Sequence, residues 1–440
     1  MKYTQLIKGF LTIAMTFCAL VNIPAQDFKA MEADLTGEDV VLQWNRVLKE
    51  TVSTPGQHPA TIMPVRSYAM MHAAMFDAVN SVDGTYTAYW TDVPGSQNAS
   101  AEAAAAQAAH DVLVGLYPTR ASVFAGELAA SFEGIEEYRR EQGIRVGQIV
   151  AARMLELRAN DGWNAPPPVY NLPATPGNWQ PTPPANSAAT FTHYGAVVPF
   201  VLHTGTQFLP NPPPAMTSAE YARDLNEVKT IGKSDSATRT ADQTKVAQLW
   251  ANVNTPTNFL YVWNNVARTV STERGSTTIE KARLFALTNI ALHDALQTTF
   301  ASKFHYGLWR PVTAIRRADE DGNADTAPDA AWSSLIGAPP YPSYAGNMAA
   351  IGTSQSTILS LFFGRDDIPY SHTWDGAGGA TRSYVGFTAM ANEQAEARIY
   401  GGIHFRFDNV AGQSVGRNAA NYIFQNFMRP RVKVKQRPTL

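Results

Sequence analysis

Apolar positions along most of this 440-residue chain recur with helical rather than alternating spacing. Alanine-rich stretches such as Ala101 to Leu116 and Ile144 to Leu157 carry the pattern, and long β-branched alternations are few. The expectation is an all-α protein. The run from Pro166 to Pro184, with Pro210 and Pro212 to Pro214 beyond it, cannot continue a helix, because proline lacks an amide donor and clashes with the preceding turn. It reads as a surface wrap between two helical halves.

The halves echo each other. Arg66-Ser67-Tyr68-Ala69 leads to Asp77-Ala78-Val79, and Arg283-Leu284-Phe285-Ala286 leads to Asp294-Ala295-Leu296, with the same spacing both times. Two alanine-rich amphipathic helices can share such positions by chance. A true repeat predicts two related helical bundles packed side by side. The expected divisions are 1–25 for an export signal, 26–165 for the N-terminal bundle, 166–215 for the wrap and 216–440 for the C-terminal bundle.

The signal is read from Lys2 and Lys8, an apolar run from Gly9 to Ile23, and the small residue Ala25 before a mature start near Gln26. The run is shorter than the roughly 20 residues that span a bilayer, so the mature chain is expected to be exported, periplasmic or extracellular, with no integral membrane span. Cys18, the sole cysteine, falls inside the run. The mature chain then has no disulfide, thiolate metal site or thiol nucleophile. At 45% hydrophobic and 16% charged the chain can bury a large core, and its net charge of −2 offers no broad field for nucleic acid or an anionic membrane. Any attraction for an anion must be local.

Two segments supply it. Lys303 and Arg310 stand seven apart within Lys303-Phe304-His305-Tyr306-Gly307-Leu308-Trp309-Arg310-Pro311, so on one helix closed by Pro311 they would share a face. Aromatics interleave the pair, unlike a solvated basic stripe. Further on, Arg398 is separated from His404 by Gly401-Gly402, which are expected to break the chain so that His404 opens a new helix whose amides face an anion. Asp408, at i+4, can accept the ring N–H of His404 and leave the other nitrogen free as a ligand or nucleophile. His72 reads as a core residue, and His293 and His305 read first as structural histidines and second as the nearest candidates by sequence for a proton carrier.

Lys303 to Pro311 fits Lys-x6-Arg-Pro, and Ala397-Arg398 to His404 fits Ser-Arg-x5-His apart from Ala397. In these motifs the chain resembles the vanadium-dependent haloperoxidases and the type 2 phosphatidic acid phosphatase superfamily, over about Tyr68 to Gly416. The resemblance implies two four-helix bundles with the anion site in the second. It implies that Lys303, Arg310 and Arg398 bind the equatorial oxygens of vanadate or phosphate. His404 would be the axial vanadium ligand or the nucleophile, oriented by Asp408. Vanadate is the implied cofactor, and no haem is required.

The family's middle motif, Pro-Ser-Gly-His, is altered. Pro339-Pro340-Tyr341-Pro342-Ser343-Tyr344 runs into Ala345-Gly346-Asn347-Met348, so serine becomes Gly346, glycine Asn347 and histidine Met348. Using Pro342-Ser343 as the Pro-Ser pair leaves Tyr344 and Ala345 where Gly-His should be. Backbone amides of Gly346 and Asn347, and the Asn347 side chain, are the expected substitutes for the lost hydroxyl. Met348 cannot exchange a proton, and loss of a positioned acid or base typically costs about 10²–10⁴ in rate. Three readings stand: a weakened peroxidase using peroxide and halide, a phosphatase (a phosphoric monoester hydrolase) passing through a phosphohistidine at His404, and a non-catalytic oxoanion-binding relic. The Pro-Pro-Tyr-Pro approach and Phe405-Arg406-Phe407-Asp408 resemble haloperoxidases most. Trp309 and Tyr341 are candidate halide-side aromatics.

Overall fold

The computed structural model describes residues 38–57, 62–251, 259–374 and 379–431. The export segment read from Lys2, Lys8, Cys18 and Ala25 lies outside them. The described chain is helical, apart from one antiparallel hairpin, β1 (Tyr370–Trp374) and β2 (Ala380–Tyr384), with Tyr370 opposite Tyr384. Its alternating aromatic and hydroxyl positions are a strand pattern too short to stand out from the helical text.

The helices, in order, are α1 (Val40–Ser53), α2 (Val65–Asp83), α3 (Ala101–Leu116), α4 (Ala121–Ser131) and α5 (Glu137–Leu157), then α6 (Ala219–Ile231), α7 (Ala241–Leu249) and α8 (Phe259–Glu273). There follow α9 (Thr278–Tyr306), α10 (Pro311–Arg316), α11 (Asn347–Phe363), α12 (Phe387–Tyr400) and α13 (Arg406–Asn426). One bundle is built from α2 to α5 and the other from α9, α11, α12 and α13, and α2 packs on α9 where the two meet. No helix among the described residues is long and apolar enough to cross a membrane.

The repeat is physical. Asp77 on α2 accepts the amides of Tyr89, Trp90 and Thr91, while Asp294 on α9 accepts those of Phe200, Val201 and Leu202. Each buried carboxylate thus satisfies three backbone donors of an extended segment crossing its bundle. Small residues let the paired helices approach in both halves. A Cβ at Gly143 or Gly147 of α5 would lie 2.6 Å from the carbonyl oxygen of Ser100 or Ala104, and one at Gly412 or Gly416 of α13 would run into that of Gly346 or Ala350. The Ser100 amide donates to Arg139 O at 2.9 Å, and the Gly346 amide donates to Asp408 O at 2.8 Å. The start of α11 therefore has a counterpart at the start of α3.

Residues 166–215 hold no α-helix and lie against the loops around Arg310. Trp179 N donates to Gly307 O, Trp309 N to Gly177 O and Thr190 N to Pro340 O. The missing amides of this proline-rich run cost little where its remaining ones find carbonyls of the neighbouring loops.

Gly402 connects α12 to α13 at φ +78°, and a Cβ there would run into the Gly232 carbonyl oxygen. Gly402→Ala combines left-handed backbone strain with an overpacked contact, so it should lower unfolding stability by about 2–3 kcal/mol in urea titrations. An unchanged midpoint would show that α6 can retreat from this crossing.

Candidate oxoanion site

Lys303 occupies the last turn of α9, which ends at Gly307 in the left-handed region (φ 60°), with the Gly307 amide on Lys303 O at 2.9 Å. Arg310 therefore does not share that helix, contrary to the reading from spacing. It is the N-cap residue of α10, and Pro311 opens that helix instead of closing the previous one. Proline is favoured at a first helical position, where its missing donor has no intrahelical partner to lose. The second expectation also needs correcting. Gly401 and Gly402 do break the chain, but α13 begins at Arg406, and His404 sits on the extended approach to it.

The corner nevertheless brings Arg310, His404 and Asp408 together. Arg310 Nη1 donates to His404 Nε2 at 3.1 Å, and His404 Nδ1 lies 2.8 Å from Asp408 Oδ2. A guanidinium can only donate, so Nε2 carries the lone pair and Nδ1 the proton. Asp408 Oδ2 also accepts the Phe405 amide at 3.1 Å and the Ser343 hydroxyl at 2.5 Å. Lys303 Nζ donates to the carbonyls of Ser343 and Ala345, both at 2.7 Å, fixing the loop that leads into α11. Arg310 Nε and Nη1 hold Tyr341 O and Ile403 O, and Arg398 Nη1 holds Trp250 O at 3.0 Å. The Tyr341 ring lies under both cations, 5.4 Å from Lys303 Nζ and 5.0 Å from the Arg310 guanidinium carbon.

Charge here is unbalanced. Lys303 and Arg310 have no exposed surface and Arg398 keeps 6%, yet none of the three forms an ion pair with a carboxylate among the described residues. Arg310 Nη2 and Arg398 Nε are buried donors with no hydrogen-bond partner there. Burial, joined by repulsion from Arg310, holds the Lys303 ammonium well below its usual range. Burial lowers Arg310 and Arg398 to about 10. His404 is held well below an ordinary imidazole by burial and then by the three cations, while burial lifts Asp408 to about 6. This donor set suits an oxoanion: two buried guanidinium N–H groups have no acceptor among the described residues, and an anion would offset their desolvation.

The altered middle motif behaves differently from expectation. The Gly346 amide is committed to Asp408 O, so it has no free donor for an oxoanion. A side chain there is also obstructed, since a Cβ would lie 2.9 Å from Asn409 Oδ1. Asn347 is buried as the first residue of α11. Met348 is buried too, its sulfur 3.9 Å from Gln394 Nε2, and Gln394 Oε1 takes the Trp263 indole N–H at 2.8 Å. Ser343 is what the reading from sequence missed. Its hydroxyl returns to the site on the Asp408 side of the imidazole, 3.4 Å from Nδ1, and the Pro342-Ser343 pair was its only textual trace.

The other histidines are held elsewhere. His293 pairs with Asp294 at 2.9 Å, ten residues before Lys303 on α9 and so about 15 Å along its axis. His72 is bound by Asn45 at 2.9 Å, and His305 is exposed beside Tyr306. Trp309 packs in a core with Tyr221, Phe405 and Phe407.

Residues 283–432 match the family model of the VCPO second helical-bundle domain. The vanadium chloroperoxidase of Curvularia inaequalis is 24% identical over 320 residues, an alignment taking in 56% of this chain and 51% of that protein. The chain thus spans about half the length of that curated relative. Among solved structures, the first bacterial vanadium-dependent iodoperoxidase superposes with a TM-score of 0.75 at 22% identity, covering 90% of this chain and 97% of that one. A holo-type bacterial vanadium-dependent chloroperoxidase gives 0.68 at 16% identity, covering 87% and 96%. The second bundle is thus similar in sequence to the VCPO second helical-bundle domain, and the chain shares the two-bundle fold of the bacterial vanadium-dependent haloperoxidases.

Proposed function

We propose that the chain is an exported, vanadium haloperoxidase-like protein that binds vanadate at Lys303, Arg310, Arg398 and His404, with phosphate able to occupy the same place. The observation that carries this is the cluster of three buried cations with no carboxylate partner among the described residues, two of them with orphaned donors. In the same reading residues 26–165 and 216–440 are the two bundles, 166–215 is the wrap, and the first 25 residues are removed on export. Substrates are small molecules, peroxide and halide, with a phosphoester as the alternative for a phosphohistidine route at His404.

Bound vanadate supplies a Lewis-acidic centre that activates peroxide toward a halide without haem. The protein's part is electrostatic and positional. Lys303, Arg310 and Arg398 neutralise the oxygens in a site shielded from water, where each charge counts for more than at a surface. His404 offers the Nε2 lone pair as the metal ligand or nucleophile. Asp408 keeps the proton on Nδ1, and Ser343, by donating to the same carboxylate oxygen, holds Asp408 in place. Asn347 and the unpaired first-turn amides of α11 add donors beside Lys303.

A second reading, an oxoanion-binding protein without turnover, is supported by Met348. A thioether against the Gln394 amide holds no exchangeable proton at the position of the family's acid–base histidine.

Anion binding should take up protons. Lys303 and His404 are depressed and Asp408 is raised to about 6. An added negative charge favours the protonated forms of Lys303 and Asp408, while His404, whose Nε2 lone pair is engaged, stays neutral, so Lys303 and Asp408 contribute the uptake and affinity falls as pH rises. The test is calorimetric titration with molybdate, a dianion throughout the neutral range, in buffers of differing ionisation enthalpy, alongside vanadate and phosphate. Proton release, or no saturable binding of any of these oxoanions, would refute the assignment. Peroxide-dependent bromide oxidation on the vanadate-loaded protein and phosphoester hydrolysis on the anion-free protein then separate the three readings.

A further inference from the structure

We propose a second anion site, for a small organic carboxylate, around Arg283 at the opposite end of α9 from the oxoanion pocket. Arg283 lies twenty residues before Lys303 on that helix, about 30 Å along its axis. The inference does not rest on the vanadate reading.

It comes from comparing the two halves of the molecule. In the N-terminal bundle, Arg66 reaches past the end of α5, donating to Arg158 O at 2.7 Å and pairing with Asp161 Oδ2 at 2.7 Å. In the C-terminal bundle, Arg283 reaches past the end of α13 in the same way, its Nε donating to Met428 O at 2.7 Å. Helices α5 and α13 are both 21 residues long, with Arg158 and Phe427 as their C-cap residues. Three residues beyond the cap, the first half has Asp161 and the second has Pro430. The arginine is kept and its carboxylate is gone.

In place of that carboxylate is a cavity of about 600 Å³ lined by Arg283 with Phe424, Gln425, Asn426, Arg429 and Pro430. Arg283 is 7% exposed and forms no ion pair with a carboxylate among the described residues. Its guanidinium carbon lies 4.9 Å from the ring centres of both Tyr86 and Phe424 and 5.6 Å from that of Phe362. The carboxylates near Tyr86 are engaged locally: Glu280 caps Thr277, and Asp83 takes the Thr85 amide. A buried guanidinium fork in an aromatic wall, with a second arginine at the rim, suits a bidentate carboxylate on a flat apolar body. An oxoanion such as phosphate would leave the Phe424 and Pro430 surfaces unused.

The test uses the full chain with benzoate as probe and benzamide as its neutral counterpart, followed by saturation-transfer NMR and calorimetry. Excess phosphate is present to fill the site around His404. Saturable benzoate binding that benzamide does not match is expected. Pro430→Asp should restore the internal carboxylate of the first half, raising Tm while weakening benzoate about tenfold or more, the effect of losing one charge-assisted pair. Arg429→Gln, at the exposed rim, should weaken benzoate without lowering Tm. Equal binding of benzoate and benzamide, or benzoate affinity untouched by both substitutions, would overturn the proposal.

Discussion

Arg398→Ala is expected to lower oxoanion affinity about a hundredfold. Arg398 is one of the three buried cations of the candidate site, its Nε has no partner among the described residues, and its Nη1 is anchored on Trp250 O. A charge-assisted hydrogen bond is worth about 1.5–3 kcal/mol, so losing a direct donor together with the charge amounts to about two orders of magnitude. The same substitution has a second, opposite signature. Without the anion, Arg398 carries burial and repulsion from Arg310 that its interaction with Tyr341 only partly offsets, and its pKa is lowered to about 10. Removing it should leave the thermal midpoint of the anion-free protein unchanged or raised, while the stabilisation that vanadate confers shrinks. Thermal melts with and without vanadate read both effects. Unchanged affinity would take Arg398 out of the pocket, and a large fall in the anion-free midpoint would make it a structural tie to Trp250.

Met348→His should raise peroxide-dependent halide oxidation about 10²–10⁴-fold, the usual worth of a positioned acid or base. The site for the new imidazole is favourable. Met348 faces Gln394 on α12, and Arg398 stands one turn further along the same face of that helix. The Gln394 Nε2 donor, now 3.9 Å from the sulfur, is placed to hold one ring nitrogen and leave the other toward the cations. Steady-state turnover of the vanadate-loaded variant against the parent decides it. A rise supports a site intact but for its proton carrier. No rise, with vanadate still bound, would mean that another group already moves the proton or that the burial around Trp263 cannot admit an imidazole.

Much of this candidate site was legible in the text because its residues fall into two short segments, Lys303 to Pro311 and Arg398 to Asp408. The i+4 spacing of His404 and Asp408 survives even though His404 lies before α13, since an extended residue leading into a first helical turn still reaches a carboxylate three or four positions on. Lys303 and Arg310 were paired for an incorrect local reason. Gly307 ends α9 between them, and it is the turn, together with Pro311, that folds Arg310 back toward His404.

Ser343 and the fate of the Gly346 amide were invisible, because both depend on where the loop before α11 meets α13. No spacing rule reports that a hydroxyl 65 positions upstream contacts Asp408, or that a backbone donor is consumed by its carbonyl. Trp250 supplies only a carbonyl to Arg398, and carbonyls carry no residue identity.

By itself, the sequence determined the helical class, the duplicated Arg…Asp frame, and which cations and imidazole had to be explained, because periodicity and side-chain chemistry are written locally. The tertiary structure alone decided that Lys303, Arg310 and Arg398 are buried without a carboxylate to match among the described residues, that Nε2 is the nitrogen left as acceptor, and that Arg283 has no counterpart there of the Asp161 that pairs with Arg66. Charge balance in a low-dielectric interior is a property of what packs around a group, and packing is settled between segments far apart in the chain.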